Sequence, residues 1–143
     1  HLFNDPFYAA FRPEECDRLG LGDESSGEIE PADLARQRLL LLEEGHCLKD
    51  HALAACGHPQ LRSDDALLGT SLHTLVQMVD NQLGVTLLPK LAIDGGILDG
   101  TGLMTCPLAG STPYREIGLV WRRNSPRHED YQLLARFLKD HGQ

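Results

Sequence analysis

The fold of this chain is decided at residues 43–56, which read EEGHCLKDHALAAC and follow the apolar run LLLL at residues 39–42. Four consecutive apolar residues are typical of a short buried parallel strand. A Gly turn then leads into a segment rich in Ala, Leu and Lys, which favour helix. A strand that enters a helix in this way predicts an α/β fold. It also places Cys47 at a helix N-terminus and at the carboxyl end of a strand, where open α/β sheets usually hold their ligands.

The spacing of Cys47 and Cys56 limits what these two thiols can do. If residues 47–56 are helical, a rise of about 1.5 Å per residue separates the two Cα atoms by about 13 Å. A disulfide requires less than about 7 Å between Cα atoms. A rotation of about 100° per residue also directs the two side chains to opposite faces of the helix. The two cysteines can therefore bond only if the helix unwinds.

Length and composition indicate one soluble domain, for which we expect a cytoplasmic location. The chain has 143 residues, of which 41% are hydrophobic, and a formal net charge of −8. No apolar run reaches the ~18 residues of a membrane span, and the N-terminus lacks a signal-peptide pattern. Four cysteines are too few for a disulfide scaffold. The acidic charge argues against DNA contact by this chain, and the start at His1 rather than Met suggests a piece of a longer protein.

The remaining pattern predicts further strands and helices around the same sheet. Residues 66–68 and 85–88 are expected strands, separated by a helix in which Leu72, Leu75, Val76 and Val79 recur at helical spacing. This strand, helix, strand order predicts a βαβ unit and an at least partly parallel sheet. Further strands are expected at residues 2–11, 103–106 and 117–121, a short helix at 31–36, an exposed loop at 16–30 and an amphipathic helix at 128–139. The Gly-rich residues 95–102 lack the order of a nucleotide-binding loop.

Several of these segments resemble the OxyR family, the hydrogen-peroxide sensors among LysR-type transcriptional regulators. The segments are EEGHCLKD at residues 43–50 with Cys56, TSL at 70–72, GVTLLP at 84–89 and REIGLVWR at 115–122. The element with two cysteines is specific to OxyR, whereas the TSL and GVTLLP segments are general to LysR-type regulatory domains. The resemblance covers most of the chain except residues 12–30 and 94–102.

The resemblance implies a domain organisation and a set of partners. It implies an α/β LysR-type regulatory subdomain of periplasmic-binding-protein type, with a mainly parallel central sheet flanked by helices. Residues 1–113 would form the second regulatory subdomain, and residues 114–143 the returning strand and helix that complete the first. The rest of the first subdomain and the DNA-binding domain would lie outside this chain. The full-length protein would form a homodimer or tetramer and contact DNA and RNA polymerase.

The resemblance also implies a redox chemistry without a cofactor, a metal or enzymatic turnover. Cys47 would be the peroxidatic residue that hydrogen peroxide oxidises to a sulfenic acid, and Cys56 the resolving residue that forms a reversible disulfide with it. A helix N-terminus lowers the pKa of a thiol, which favours the reactive thiolate. His46 would donate a hydrogen bond, Asp50 would orient donors, and Arg115 would polarise the pocket. Glutaredoxin or thioredoxin systems would reduce the disulfide.

Three other functions remain open from the residues alone. The chain could bind a small organic effector as other LysR-type domains do, in which case neither cysteine would matter. His46, Cys47, His51, Cys56 and His58 could instead bind a metal ion, although their spacing matches no standard zinc pattern. A stand-alone thiol peroxidase is disfavoured because the chain has no thioredoxin-like pattern. Cys16 and Cys106 are interpreted as structural or incidental.

Overall fold

The computed structural model describes residues 1–21, 27–42, 50, 54, 67–110 and 113–142. The helices and strands occur in the order β1 (Phe3–Phe11), a 3₁₀ turn (Pro13–Glu15), α1 (Pro31–Ala35), β2 (Leu39–Leu42), β3 (Leu67–Gly69), α2 (Leu72–Asp80), β4 (Val85–Pro89), α3 (Lys90–Asp94), β5 (Met104–Pro107), β6 (Tyr114–Ile117) and α4 (His128–His141). The chain divides into two compact units, one of Pro6–Tyr114 and one of His1–Asp5 with Arg115–Gln143. Among these elements, α3 is one that the sequence did not predict.

The larger unit is organised around a mixed sheet with strand order β3-β2-β4-β1-β5. β2 pairs in parallel with both β3 and β4, as the predicted βαβ unit requires. β1 runs antiparallel to β4 and to β5. The α/β class and the parallel pairing of these strands are therefore confirmed, and the antiparallel β1 extends the sheet on one side.

Apolar side chains of β1, β2, β4 and α2 form the core of the larger unit. All four residues of β2 are buried, as expected for a strand covered on both faces. In α2 the buried residues are Leu75, Val76 and Val79, so three members of the predicted stripe belong to the core. Burial is the main stabilising term for such side chains, at about 25 cal/mol per Å² of apolar surface.

Two side-chain hydrogen bonds stabilise α2 and β4. Ser71 caps α2, because its side-chain oxygen accepts a hydrogen bond from the Thr74 N–H at 3.1 Å. In β4, the buried Thr86 hydroxyl donates to the Leu40 carbonyl of β2 at 2.8 Å. This bond joins β4 to β2 where both strands are buried.

Two expectations are wrong in detail. The loop predicted at residues 16–30 is not fully exposed, because Leu19 and Ile29 are buried and Ile29 forms a parallel bridge with Leu108. The strand predicted at residues 117–121 is displaced, since β6 ends at Ile117. The Leu2 N–H donates to the Ile117 carbonyl at 2.8 Å, at the start of β1. The strong β formers after Ile117 extend beyond this partner strand and are not part of β6.

Candidate functional site

The carboxyl ends of β2, β3 and β4 lie at one edge of the sheet, because these three strands are parallel. β2 ends at Leu42, so residue 43 is the next residue of the chain after this edge. The predicted site residues His46, Cys47 and Cys56 lie outside the described residues. The segment with the two cysteines therefore starts at the carboxyl end of β2. In open α/β sheets, ligand sites usually lie at the carboxyl ends of the strands.

A cluster of three hydroxyl groups lies at the same edge, where β3 leads into α2. Thr74 Oγ1 lies 3.1 Å from Ser71 Oγ and 3.3 Å from Thr70 Oγ1. These groups can donate and accept hydrogen bonds and carry no charge. Thr74 was not predicted as a site residue. The signal was present in the sequence, where three hydroxyl residues lie within positions 70–74 at the expected start of α2.

Asp50 and Arg115 are the two predicted site residues that the structure describes. Asp50 is helical with an exposed side chain, which fits the predicted helix after Cys47. Arg115 lies in β6, and its Nε donates to Asp5 Oδ2 at 2.8 Å. Asp50 belongs to the larger unit and Arg115 to the smaller one.

Asp5, the hydrogen-bond partner of Arg115, was not predicted as a site residue. Its side chain is only 2% exposed, and that of Arg115 is 27% exposed. Buried carboxylates are costly unless they are paired and hydrogen-bonded. The signal was present in β1, where Asp5 alternates with the buried residues Phe7 and Ala9 and therefore faces the interior. A charge on the buried face of a strand predicts a partner of opposite charge.

The two other thiols have different surroundings, and those of Cys106 disfavour redox chemistry. Cys106 is buried, and its thiol donates a hydrogen bond to the Gly27 carbonyl at 2.7 Å. Burial, followed by the nearby Cys16 and Glu28, raises the pKa of the Cys106 thiol. Cys16 is half-buried and packs against the core. Because the thiolate is the reactive form of cysteine, the Cys106 environment suppresses its reactivity.

The smaller unit contains an apolar groove of about 380 Å³ between α4 and the segment that follows β6. Its walls include Leu119, Val120, Trp121 and Tyr131. The Trp121 indole N–H donates to His128 Nδ1 at 3.0 Å, and the Trp121 ring lies 5.8 Å from that of Tyr131. The Trp121 side chain therefore attaches α4 to the preceding segment.

Within the described ranges, no group of three or more His, Cys, Asp or Glu side chains is arranged to hold a metal ion. The five residues of the alternative metal cluster, at positions 46, 47, 51, 56 and 58, are outside those ranges. In the same described part, no helix is long and apolar enough to cross a membrane.

Comparison with known proteins assigns the chain to a family. The family model for the LysR substrate binding domain matches residues 1–143. This chain belongs to the LysR substrate-binding domain family. The OxyR resemblance is confirmed as well. The DNA-binding transcriptional dual regulator OxyR of Escherichia coli K12 is 41% identical over 108 residues, which are 76% of this chain and 35% of that protein.

Solved structures and a second curated relative extend this result. The reduced regulatory domain of OxyR2 from Vibrio vulnificus matches with a TM-score of 0.78 and 36% identity, over 97% of this chain and 62% of that one. A reduced form of OxyR matches with a TM-score of 0.76 and 34% identity, over 97% of this chain and 61% of that one. The HTH-type transcriptional regulator EstR of Acinetobacter baylyi is 40% identical over 107 residues, which are 75% of this chain and 36% of that protein.

The chain spans about a third of the length of these curated relatives, 36% of EstR and 35% of OxyR. The family to which it belongs consists of transcriptional regulators rather than enzymes. The relatives named for hydrogen peroxide are gene activators, among them a protein from Dickeya chrysanthemi that is 40% identical over 113 residues.

Proposed function

We propose that this chain is the regulatory domain of a peroxide-sensing transcriptional regulator, with Cys47 as the residue that reacts with hydrogen peroxide. One observation carries the proposal. The chain matches OxyR regulatory domains over 97% of its length and has two cysteines in the segment that follows β2 at the ligand edge of the sheet. The hydroxyl cluster of Thr70, Ser71 and Thr74 lies at the same edge and supports the choice of this edge as the site.

The first chemical step oxidises Cys47. Its thiolate attacks one oxygen of hydrogen peroxide, the O–O bond breaks, and the departing hydroxide takes a proton to become water. Cys47 is left as a sulfenic acid, two electrons more oxidised. His46 is adjacent in sequence and donates a hydrogen bond to the departing oxygen. The N-terminal helix position of Cys47 favours its thiolate form.

The second step couples oxidation to a change of shape. The Cys56 thiolate attacks the sulfur of the sulfenic acid, the S–O bond breaks, and a second water leaves after protonation of the hydroxide. Since a helix would hold the two Cα atoms about 13 Å apart, the disulfide requires helix to unwind. A dithiol of the glutaredoxin or thioredoxin type reverses the step by thiol–disulfide exchange.

Asp50 and Arg115 have positioning roles in this proposal. Asp50, three residues after Cys47, orients hydrogen-bond donors in the first turn of the helix. The OxyR resemblance assigns to Arg115 a positive charge that polarises the pocket. The hydrogen bond between Arg115 and the buried Asp5 holds the guanidinium in one orientation, which supports a role that depends on geometry.

The family organisation extends the proposal to the whole regulator, in the cytoplasm. Residues 1–113 correspond to the second regulatory subdomain, and residues 114–143 return to complete the first. DNA contact belongs to a domain outside this acidic chain. The disulfide alters the arrangement of the full-length dimer or tetramer on DNA, and with it the contact with RNA polymerase.

A sulfenic acid trap tests the first step. Cys56→Ser removes the resolving thiol, so micromolar peroxide in the presence of dimedone should label Cys47, as found by peptide mass spectrometry. Cys16 and Cys106 should stay unlabelled in the same sample, because Cys106 is buried and its pKa is raised.

The matched control is the double variant Cys47→Ser/Cys56→Ser, which keeps Cys16 and Cys106 and should take up no dimedone. If Cys56→Ser gave no adduct at Cys47, or if Cys106 were labelled to the same extent, the assignment of Cys47 as the peroxide-reactive residue would be wrong.

A second candidate function is the binding of a small organic effector. It is favoured by the similarity to EstR, a LysR-type relative whose name does not refer to peroxide. Under this function, a full-length regulator with Cys47→Ser/Cys56→Ser would keep its complete response to inducer. The peroxide-sensing function predicts instead that this variant loses the response.

A further inference from the structure

Asp5 and Arg115 lie on two paired strands and contact each other within the smaller unit. β6 pairs with β1, and the Leu2 N–H at the start of β1 donates to the Ile117 carbonyl at 2.8 Å. Asp5 is 2% exposed and lies on the buried side of β1. The carboxylate is therefore held on the inner face of a strand whose backbone is itself hydrogen-bonded to the strand of Arg115.

The contact between these two side chains determines how the guanidinium of Arg115 is oriented. Its Nε donates to Asp5 Oδ2 at 2.8 Å. The guanidinium is planar, so a bond at Nε fixes the plane in which the other two nitrogens lie. Those nitrogens, Nη1 and Nη2, carry four further N–H groups that can donate to an anion. Asp5 thus sets the direction in which these remaining donors point.

Stability alone does not account for a carboxylate at this buried position. A buried ion pair is costly to desolvate, and apolar residues of similar volume at both positions are often as stabilising or more so. The carboxylate provides what apolar residues cannot, which is a charge-assisted hydrogen bond with a defined direction. The burial of Asp5 therefore indicates that the orientation of the Arg115 guanidinium matters for what this group does.

We propose that Asp5 is a positioning residue for the reaction of Cys47 with peroxide and that it acts through Arg115. This inference rests on the proposed function, in which Arg115 polarises the pocket. Negative charge is present on the Cys47 thiolate and develops on the departing hydroxide. Donors that already point in the required direction stabilise such charge without reorganisation during the reaction. Asp5 keeps the guanidinium of Arg115 in that orientation.

A role of Arg115 through its charge alone predicts the opposite effect of a change at Asp5. In that case the neighbouring carboxylate would only weaken the positive potential of the guanidinium. Removal of the carboxylate would then increase this potential and speed the reaction. If Asp5 positions Arg115, its removal slows the reaction even though the potential becomes more positive. The sign of the change in rate therefore separates positioning from a simple charge effect.

The rate of Cys47 oxidation in the full-length regulator with Cys56→Ser tests the proposal. Samples taken at intervals after addition of excess peroxide are alkylated, and peptide mass spectrometry gives the fraction of Cys47 that is still a thiol. Asp5→Asn should lower the rate constant about fivefold, because its amide oxygen accepts a weaker hydrogen bond than a carboxylate does. A rate constant that is unchanged or higher would overturn the proposal.

Asp140→Asn is the matched control, since it removes the same charge from an exposed residue of the same unit and should leave the rate constant unchanged. Urea denaturation and circular dichroism of each variant give the fraction that is folded. A purely structural Asp5 would lower the stability of Asp5→Asn and leave the rate constant of its folded molecules at the parent value. That result would also overturn the proposal.

Two further variants test whether Asp5 acts through Arg115. In an Arg115→Met background, Asp5→Asn should cause no further decrease in the rate constant, because the group that Asp5 positions is gone. Arg115→Lys leaves Asp5 unchanged, keeps the positive charge and loses the planar set of donors, so it should fail to restore the parent rate constant. Additive effects of the two changes, or a parent rate constant in Arg115→Lys, would overturn the proposal.

The Cys56→Ser regulator without further changes shows which of two claims fails. If its Cys47 does not react with peroxide, the proposed function is wrong, and the positioning role of Asp5 is overturned with it. If it reacts, and Asp5→Asn reacts equally fast, Cys47 remains the peroxide-reactive residue and only the role of Asp5 is overturned.

Discussion

At the scale of single residues, Asp5 and Arg115 form an ion pair in the smaller unit whose carboxylate is shielded from water. Asp5 is 2% exposed, and Arg115 Nε donates to it at 2.8 Å. Removing one partner of a buried pair costs about 3–5 kcal/mol, because the other charge stays buried. Since Arg115 is 27% exposed, we expect a value at or below the lower end of this range.

The variant Arg115→Met tests this contact, because it keeps the length of the side chain and removes its charge. We predict a loss of about 2–3 kcal/mol in the free energy of unfolding, measured by urea denaturation. The double variant Asp5→Asn/Arg115→Met should recover part of that loss, because no charge is then left buried. A single variant with unchanged stability would show that the ion pair contributes nothing.

Cys106 gives a prediction for alkaline pH. Burial raises its pKa, so the folded chain holds this proton more tightly than the unfolded chain does. The resulting stabilisation is complete below the unfolded thiol pKa of about 8.5 and is lost as pH rises through the higher folded value.

Unfolding free energies of the chain should therefore fall as pH rises above about 8.5, the unfolded thiol pKa. Cys106→Ala should reduce the slope of this decrease, and Cys16→Ala is the control in the half-buried position. The same slope in the Cys106→Ala variant and in the parent chain would contradict the assignment of the effect to Cys106.

The sequence predicted residue roles where chemistry or a family pattern is local, and missed those that depend on a distant partner. Arg115 was identified from the REIGLVWR segment, whereas its partner Asp5 is 110 positions away in the chain. Cys106 was interpreted as structural or incidental, and its burial agrees with a structural role. Its bond to Gly27 depends on the path of a loop, which no local pattern specifies.

At the scale of helices and strands, the close approach of β4 and β2 depends on Gly84. A Cβ atom at this position would lie 2.2 Å from the Arg38 carbonyl oxygen. The neighbouring Val85 N–H donates to that same oxygen at 3.0 Å, so the backbone cannot move away without loss of a hydrogen bond.

Gly84→Ala should therefore lower the free energy of unfolding by about 3 kcal/mol, the upper end of the range for overpacked sites. Gly102→Ala is the matched control, because a Cβ at Gly102 would meet nothing within 4 Å, and we expect a change within about 0.5 kcal/mol. Equal stability of the two variants, measured by urea denaturation, would show that the Arg38 contact relaxes without cost.

Elements with a strong internal pattern were predictable, and those defined by their neighbours were not. The helical spacing of Leu72, Leu75, Val76 and Val79 predicted α2, and the run of four leucines predicted β2. The end of β6 at Ile117 is instead set by its pairing with the start of β1. α3 is a single five-residue turn after Pro89, too short for its periodicity to be visible in sequence.

At the scale of the whole molecule, the family could be predicted from one stretch of sequence. Residues 43–56 indicated the OxyR family, and the match over residues 1–143 confirms a LysR substrate-binding domain. The strands β2, β3 and β4 are parallel, so their carboxyl ends lie at one edge, where β2 ends immediately before this stretch of sequence. The exposed side chains of α4 agree with the amphipathic pattern at residues 128–139, although that pattern does not specify which surface covers the helix.

Disulfide mapping after peroxide treatment tests the central claim of a Cys47 to Cys56 switch most directly. The reduced chain is treated with micromolar peroxide, free thiols are alkylated, and peptides are analysed by mass spectrometry with and without reduction. The account predicts one peptide pair that links Cys47 to Cys56, with Cys16 and Cys106 alkylated or still present as free thiols. If Cys47 and Cys56 both remained thiols under peroxide, or if either were linked to Cys16 or Cys106 instead, the switch would be contradicted.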